Sequence, residues 1–328
     1  MSKKLNWGIL GTGTIADLQT KDLLECGFSV TAVGSRDLAK AKVFAADHGI
    51  GTSCGSYHEL VDSPDVDVIY VATPHPFHFE HATLALNAGK HVLLEKPITM
   101  NAREAAALAE LASEKGLVLL EAMWTRFLPH MDQIRADIAA GLIGEVRSVI
   151  ADFSALFPSD PEGRHLNRQL GGGALLDIGI YPISFAVNLL GIPEKVFASG
   201  SMTATQVDAN VSMVFDYPTG QQALLHCALD SSGPISATIL GTKGRIDIEV
   251  PFFTQVGYRR YDPEMELVSE FNVNPVGRGM QFQALELERL VGAGELLSPT
   301  MPFTQSVDIM ELIDHIRSQI GLVYPSDY

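Results

Sequence analysis

Gly8-Ile9-Leu10-Gly11-Thr12-Gly13-Thr14-Ile15-Ala16 places a G-x-G-x-x-A spacing directly after the apolar run 7–10 and at the head of a helix-like segment, residues 15–24. Each small residue has its own task in such a turn. Gly11 permits a tight bend, Gly13 lets a pyrophosphate approach the backbone, and Ala16 keeps the helix close to the strand. Thr12, Thr14 and Ile15 complete a loop whose phosphate ligand would rest on the helix N-terminus.

Outward from this turn, apolar runs at residues 29–33, 66–71, 91–94 and 117–120 alternate with helix-like segments at 38–47, 78–88 and 101–115. Each intervening segment is long enough for a right-handed crossover, so the rhythm predicts a doubly wound parallel sheet of the Rossmann type over residues 1–121. Past Glu121 the pattern changes to a helix over 131–140 closed by Gly141, and then a strand over 145–153. Residues 195–271 read as strand after strand, with 211–217 and 223–229 joined at Pro218-Thr219-Gly220, and helices over 281–291 and 303–320 follow. The expectation is a second α/β domain over 122–328 with an open, mainly antiparallel sheet. One face of such a sheet needs a cover, and a partner subunit is one common solution.

Composition narrows the partners. With 46% hydrophobic and 19% charged residues, both halves of the 328-residue chain should fold around cores. The formal charge of −16, from 39 acids against 23 bases, opposes nucleic acid over most of the surface. A phosphate-bearing ligand must therefore rely on local backbone amides and one or two placed cations. Cys26, Cys54 and Cys227 have no zinc or redox spacing. With no apolar leader, and no later run read as long enough to span a bilayer, the expectation is a cytoplasmic protein with no membrane partner.

About twenty residues beyond the fingerprint, where an acid would hold the ribose 2′-hydroxyl of NAD, stand Ser35 and Arg36. A hydroxyl followed by a guanidinium suits a 2′-phosphate, which favours NADP over NAD. Asp37 leaves the choice open: it either reaches the ribose after a one-residue shift of the loop or caps the helix beginning at Leu38.

Leu94-Glu95-Lys96-Pro97 sets a lysine at the carboxyl end of a predicted parallel strand, where open α/β sheets bind ligands. Thr73-Pro74-His75-Pro76-Phe77-His78-Phe79-Glu80-His81 follows another such strand. A metal reading of its histidines is rejected, because Pro74 and Pro76 keep His75 off the helix that could align His78 with His81. Residues 73–78 are expected to face the nicotinamide half of the cofactor, with Thr73 or His75 offering hydrogen bonds. In Gly171-Gly172-Gly173-Ala174-Leu175-Leu176-Asp177-Ile178-Gly179-Ile180-Tyr181-Pro182-Ile183, a helix starting near Ala174 projects Asp177 and Tyr181 from one face, kinked or shortened by Pro182.

Together the fingerprint, Glu95-Lys96-Pro97 and the stretch from Gly172 to Tyr181 resemble the Gfo/Idh/MocA family of nicotinamide-dependent oxidoreductases. Glu121-Ala122-Met123-Trp124-Thr125-Arg126-Phe127-Leu128-Pro129 resembles more narrowly the branch of dihydrodiol and D-xylose dehydrogenases. The resemblance implies an N-terminal Rossmann domain and a C-terminal domain whose open sheet makes a dimer or a dimer of dimers. By the same resemblance Lys96 matches the catalytic lysine, Asp177 the acid of the second-domain helix and Tyr181 the position four residues on. Inositol dehydrogenases of the family carry histidine there, so tyrosine counts against an inositol substrate.

Cofactor binding is expected from Gly11 to Ile15, Ser35, Arg36, Thr73, Pro74, His75, His78, Glu95 and Lys96. Trp124, Arg126, Phe127 and Phe153 are the candidate substrate residues, and Arg164 and His165 are weaker ones. The expected reaction is hydride transfer between nicotinamide and a ring alcohol, lactol or carbonyl carbon of a sugar, polyol or trans-dihydrodiol. Tyr181 would exchange the proton with Lys96 favouring its phenolate, or Lys96 itself would be the base. Asp177 would orient substrate or lysine. A non-catalytic NADP-binding regulator and an NAD-dependent glycosidase are the alternatives.

Overall fold

The computed structural model describes residues 4–327, which fall into two compact units. Among the described residues, the first comprises 4–124 and 276–310, and the second 125–275 and 311–327. In the first, β1 (Asn6–Leu10), α1 (Thr14–Glu25), β2 (Ser29–Gly34), α2 (Leu38–His48), β3 (Thr52–Cys54), α3 (Tyr57–Val61), β4 (Val68–Val71), α4 (His78–Asn87), β5 (His91–Glu95), α5 (Ala102–Lys115) and β6 (Leu119–Ala122) alternate along the chain. The strands pair in parallel in the order β3-β2-β1-β4-β5-β6, the doubly wound arrangement. Central strands covered on both faces read as unbroken apolar runs, and all four residues of β4 are buried. Local signals fix the helix ends: Asn101 accepts the Glu104 N–H to start α5, and left-handed Gly116 stops it. The three-residue β3 is too short to leave a periodicity in the sequence.

In the second unit, α6 (Pro129–Ala139) leads to β7 (Val146–Ser154), and a π-helical turn (Leu175–Gly179) runs into α7 (Ile180–Leu190). Then follow β8 (Lys195–Met202), β9 (Asp208–Asp216), β10 (Gln222–Ala228), β11 (Ala237–Gly241), β12 (Gly244–Ile248), β13 (Tyr258–Tyr261) and β14 (Leu267–Phe271). They form an eight-stranded sheet ordered β14-β13-β12-β11-β7-β10-β9-β8, parallel at β7–β10 and antiparallel elsewhere. Alternation divides its faces. Val149, Ala151, Leu225, Cys227, Val211 and Met213 are buried, and α7 packs on β7 and β10. The register lines up Phe197, Val214, Leu224 and Ile150 across β8, β9, β10 and β7 on the other face.

Against the expected cut at residue 122, the chain first passes from one unit to the other after Trp124, and it does not stay in the second. Residues 276–310, with α8 (Gln281–Ala293) and the start of α9 (Phe303–Ile320), return to the first unit. Asp22 on α1 is the reason: its buried carboxylate accepts the main-chain N–H groups of Arg278, Gly279 and Met280 at 3.0–3.1 Å. The Trp7 indole donates to Glu288 Oε1 at 3.0 Å, and Gln283 donates to Gln19 at 2.9 Å. One further expectation is corrected. By length and composition the segment Arg168–Leu190, interrupted by its glycine turn, is apolar enough to cross a membrane, although 83% of its most apolar window is buried inside the protein.

Candidate active site

Because β1, β4 and β5 run parallel, their carboxyl ends lie on one edge of the first sheet, with the reversal of strand order between β1 and β4. Gly11 has φ +115°, and a Cβ there would stand 2.9 Å from the Ala72 carbonyl oxygen, so only glycine fits. Gly13 caps α1 with no side chain of its own, and a Cβ on it would meet nothing within 4 Å. The helix N-terminus is thus open, with Thr14 exposed and Thr12 and Ile15 partly so beside it.

At the end of β2, Asp37 is committed to α2: its Oδ1 accepts the Ala39 N–H at 2.9 Å. The Ser35 hydroxyl accepts the Asp37 N–H at 3.3 Å. Arg36 is exposed, with its guanidinium carbon 5.9 Å from the Phe77 ring centre. Burial raises the Tyr57 phenol, and the Arg36 charge pulls it the other way.

The histidine-rich segment after β4 is scaffold more than contact surface. Thr73 Oγ1 and His81 Nδ1 are 3.0 Å apart, Pro74 is exposed, and His75 is buried with its ring edge-on to His78. His78, expected at the cofactor, is 0% exposed, with Nδ1 2.8 Å from the Pro97 carbonyl and Nε2 2.8 Å from the Thr73 carbonyl. Both ring nitrogens face protein oxygens, so the side chain ties the loop after β4 to the Lys96–Pro97 turn instead of reaching a ligand. Burial pushes its pKa down to about 4. Glu95 is corrected likewise: its buried carboxylate accepts the Tyr70 hydroxyl at 2.5 Å and the Lys96 N–H at 3.2 Å. Half-buried Lys96 stands just past the end of β5, before a cis peptide bond to Pro97.

In the second unit the glycine turn leads into the π-helical turn Leu175–Gly179, and α7 follows. Pro182 explains the widening. It has no N–H for the Ile178 carbonyl, and its ring would clash with that oxygen in a regular α-turn. Asp177 and Tyr181 are both buried on this segment. The Arg164 guanidinium binds the Asp177 carboxylate through Nη1–Oδ1 and Nη2–Oδ1 at 3.2 Å and Nη2–Oδ2 at 3.0 Å. His165 Nε2 stands 3.6 Å from Asp177 Oδ2, and its ring lies 4.4 Å from that of Phe157. The irregular segment before the glycines thus turns the adjacent Arg164 and His165 onto the acid.

Tyr181 belongs to an aromatic wall. Its ring centre is 5.4 Å from Phe153 and 5.2 Å from Phe253, and these two phenylalanines stack at 4.4 Å. Sequence reasoning missed Phe253. Pro251-Phe252-Phe253 is visible in the sequence, but nothing there says where the loop between β12 and β13 folds. Trp124 and Phe127 lie buried on the 3-10 turn Trp124–Phe127. Arg126, expected at the substrate, is also buried: its Nε donates to Ser184 at 2.8 Å and Nη1 to Asn188 at 3.1 Å, so it braces α7.

The N-terminal domain described as oxidoreductase family, NAD-binding Rossmann fold (GFO_IDH_MocA) matches residues 5–123, and the GFO/IDH/MocA C-terminal domain matches residues 131–247. A trans-1,2-dihydrobenzene-1,2-diol dehydrogenase of Mus musculus is 36% identical over 333 residues, covering 98% of this chain and 99% of its own. Among solved structures, the aldose-aldose oxidoreductase of Caulobacter crescentus, complexed with glycerol, is 26% identical with a TM-score of 0.88 over 97% of this chain and 98% of its own. The 3-ketoreductase KijD10 of Actinomadura kijaniata, in complex with NADP and TDP-benzene, is 28% identical with a TM-score of 0.85 over the same shares.

Proposed function

The chain belongs to the Gfo/Idh/MocA oxidoreductase family, and from that premise we propose an NADP-dependent dehydrogenase or reductase that acts on a ring carbinol of a trans-dihydrodiol or a sugar. One observation carries the proposal: the open Gly13 turn and Lys96 share the carboxyl edge of a single parallel sheet. A nicotinamide cofactor bound on that edge supplies the hydride acceptor or donor. Arg36 is the cation for a 2′-phosphate, and the use of Asp37 as a helix cap supports NADP over NAD.

Among the chain's own side chains, Tyr181 exchanges the hydroxyl proton and Lys96 steadies the charge on the oxygen that loses it. Asp177, held by Arg164, orients the substrate. The aromatic faces of Phe153 and Phe253 suit a ring, which is the feature that dihydrodiols and sugars share. Following NADPH absorbance over a panel of trans-dihydrodiols and aldoses tests this reading. Lys96→Met and Tyr181→Phe should keep NADP binding and lose turnover by roughly a hundredfold or more. Cofactor binding without turnover on any panel member would instead indicate a regulator.

A homodimer is part of the same proposal. Phe197, Leu224 and Ile150 are 57%, 44% and 44% exposed in one row with Val214, an apolar patch on a sheet face that a second copy would cover. Cys26, Cys54 and Cys227 are all unbridged, in keeping with the cytoplasmic location proposed with it.

A further inference from the structure

Two buried polar groups that the proposed reaction does not use hold the glycine turn in front of the Asp177–Tyr181 segment. Asp208, the first residue of β9, is fully buried, and its Oδ2 accepts the Leu175 N–H at 2.6 Å. Tyr324 is also fully buried and donates its hydroxyl to the Gly172 carbonyl at 2.5 Å. Between those bonds lies Gly173 at φ +119°, where a Cβ would stand 2.1 Å from Asp208 Oδ1 and 3.1 Å from Tyr324 Oη. The turn is pressed against both groups with no room for a side chain.

Tyr324 is itself pinned. Its ring lies 4.8 Å from the Arg317 guanidinium carbon, its N–H donates to Asp327 at 2.7 Å, and Arg168 Nε binds the neighbouring Val323 carbonyl at 2.7 Å. Stability alone does not account for the carboxylate. A surface Ser, Thr or Asn caps a helix without the desolvation that a buried acid suffers. Burial raises the Asp208 pKa to about 6, against the main-chain N–H groups of Leu175, Asp208 and Ala174 that lower it. A group disfavoured in its charged form, yet fixed to the first turn of the segment carrying Asp177 and Tyr181, fits a role in precision.

We propose that Asp208 and Tyr324 are positioning residues for the reaction: they clamp the Gly172–Leu175 turn and, through the π-helical turn, set the directions in which Asp177 and Tyr181 project. This rests on Asp177 and Tyr181 acting on substrate. Tyr324→Phe deletes one hydrogen bond and little else, and it keeps the test open should Asp208→Asn fold poorly. Asp208→Asn can keep an acceptor for the Leu175 N–H but removes the charge that strengthens that bond and sets an amide group in place of the unpartnered Oδ1 pressed against Gly173.

Amide hydrogen exchange and steady-state kinetics on the full chain test the clamp. Both variants should raise exchange over residues 172–181 by about tenfold and lower kcat by about tenfold, with the KM for NADP within about twofold. The limb of the kcat pH profile that Tyr181→Phe abolishes should also move. Unchanged exchange in Tyr324→Phe, or raised exchange with wild-type kcat and pH profile, overturns the clamp. Turnover that survives in Tyr181→Phe overturns the catalytic reading instead, and the exchange data decide the clamp separately.

Discussion

Arg164 holds Asp177 with both of its terminal nitrogens, although the arginine side chain is 57% exposed and the carboxylate only 4%. The irregular segment before the glycine turn therefore reaches the buried acid from the solvent side. Arg164→Met should lower kcat/KM by roughly 10–100-fold, the scale of charge-assisted hydrogen bonds, and leave NADP affinity unchanged. Arg164→Lys should recover only part, since lysine keeps the charge but not the planar fork. Steady-state kinetics with a cofactor titration checks this, and an equal loss of NADP affinity would count against it.

Adjacent residues at the end of β2 should separate cleanly. Arg36→Ala is expected to weaken NADP by roughly tenfold or more while leaving NAD nearly unaffected, because only the former carries the extra phosphate. Asp37→Ala should leave the preference unchanged and cost about 1 kcal/mol of stability through the lost α2 cap. Titration of both cofactors plus a urea unfolding curve reads the two effects. An unchanged preference in Arg36→Ala would remove the assignment.

Buried histidines give the fold an acid-sensitive window. Burial pushes His78 and His130 down to about 4 from an ordinary 6.5. Between those values the unfolded chain binds more protons than the native one. His130 thus contributes stability that is present above pH 6.5 and lost as pH falls toward 4, on the order of 3 kcal/mol, whereas at His78 the two carbonyl contacts favour the protonated ring and oppose the effect of burial. Asp208 has the opposite sign: raised from 3.8 to about 6, it makes the fold lose stability as pH rises through that range. In urea unfolding at pH 7.5 and 4.5, His130→Gln should shrink the acid loss and Asp208→Asn should enlarge it.

The row from Phe197 to Ile150 should be as sensitive to charge as an interface. Leu224→Asp is expected to turn a dimer into a monomer by light scattering while cofactor binding persists, since a desolvated carboxylate in an apolar contact is costly. A monomeric wild type would dispose of the dimer.

The parallel sheet was legible because β4 and most of β1 and β5 are buried and read as apolar runs around a glycine turn with definite spacing, with β2 apolar at its buried positions. β3 escaped notice for want of length. Lys96, Asp177 and Tyr181 drew attention as polar residues in apolar text, and so did His78, Glu95 and Arg126, whose side chains the structure turns to main-chain carbonyls, Tyr70 and α7. Composition alone does not distinguish a polar side chain that faces a ligand from one that faces a carbonyl or a neighbouring helix. Phe253 and Asp208 act through contacts between residues distant in the chain, which local pattern does not encode, whereas Arg164 was already a weaker candidate whose hold on Asp177 only the fold shows. The π-helical turn had a visible cause in Pro182, though its form emerges only from the backbone.

The return of residues 276–310 to Asp22 bears on how such a chain could be recombined. A contiguous N-terminal cassette ending near residue 124 would carry the fingerprint and Lys96 but strand a buried carboxylate without its three amide partners. Exchange of cofactor modules between relatives should therefore succeed only when two segments are transplanted together, so the unit of inheritance for this half of the molecule is discontinuous.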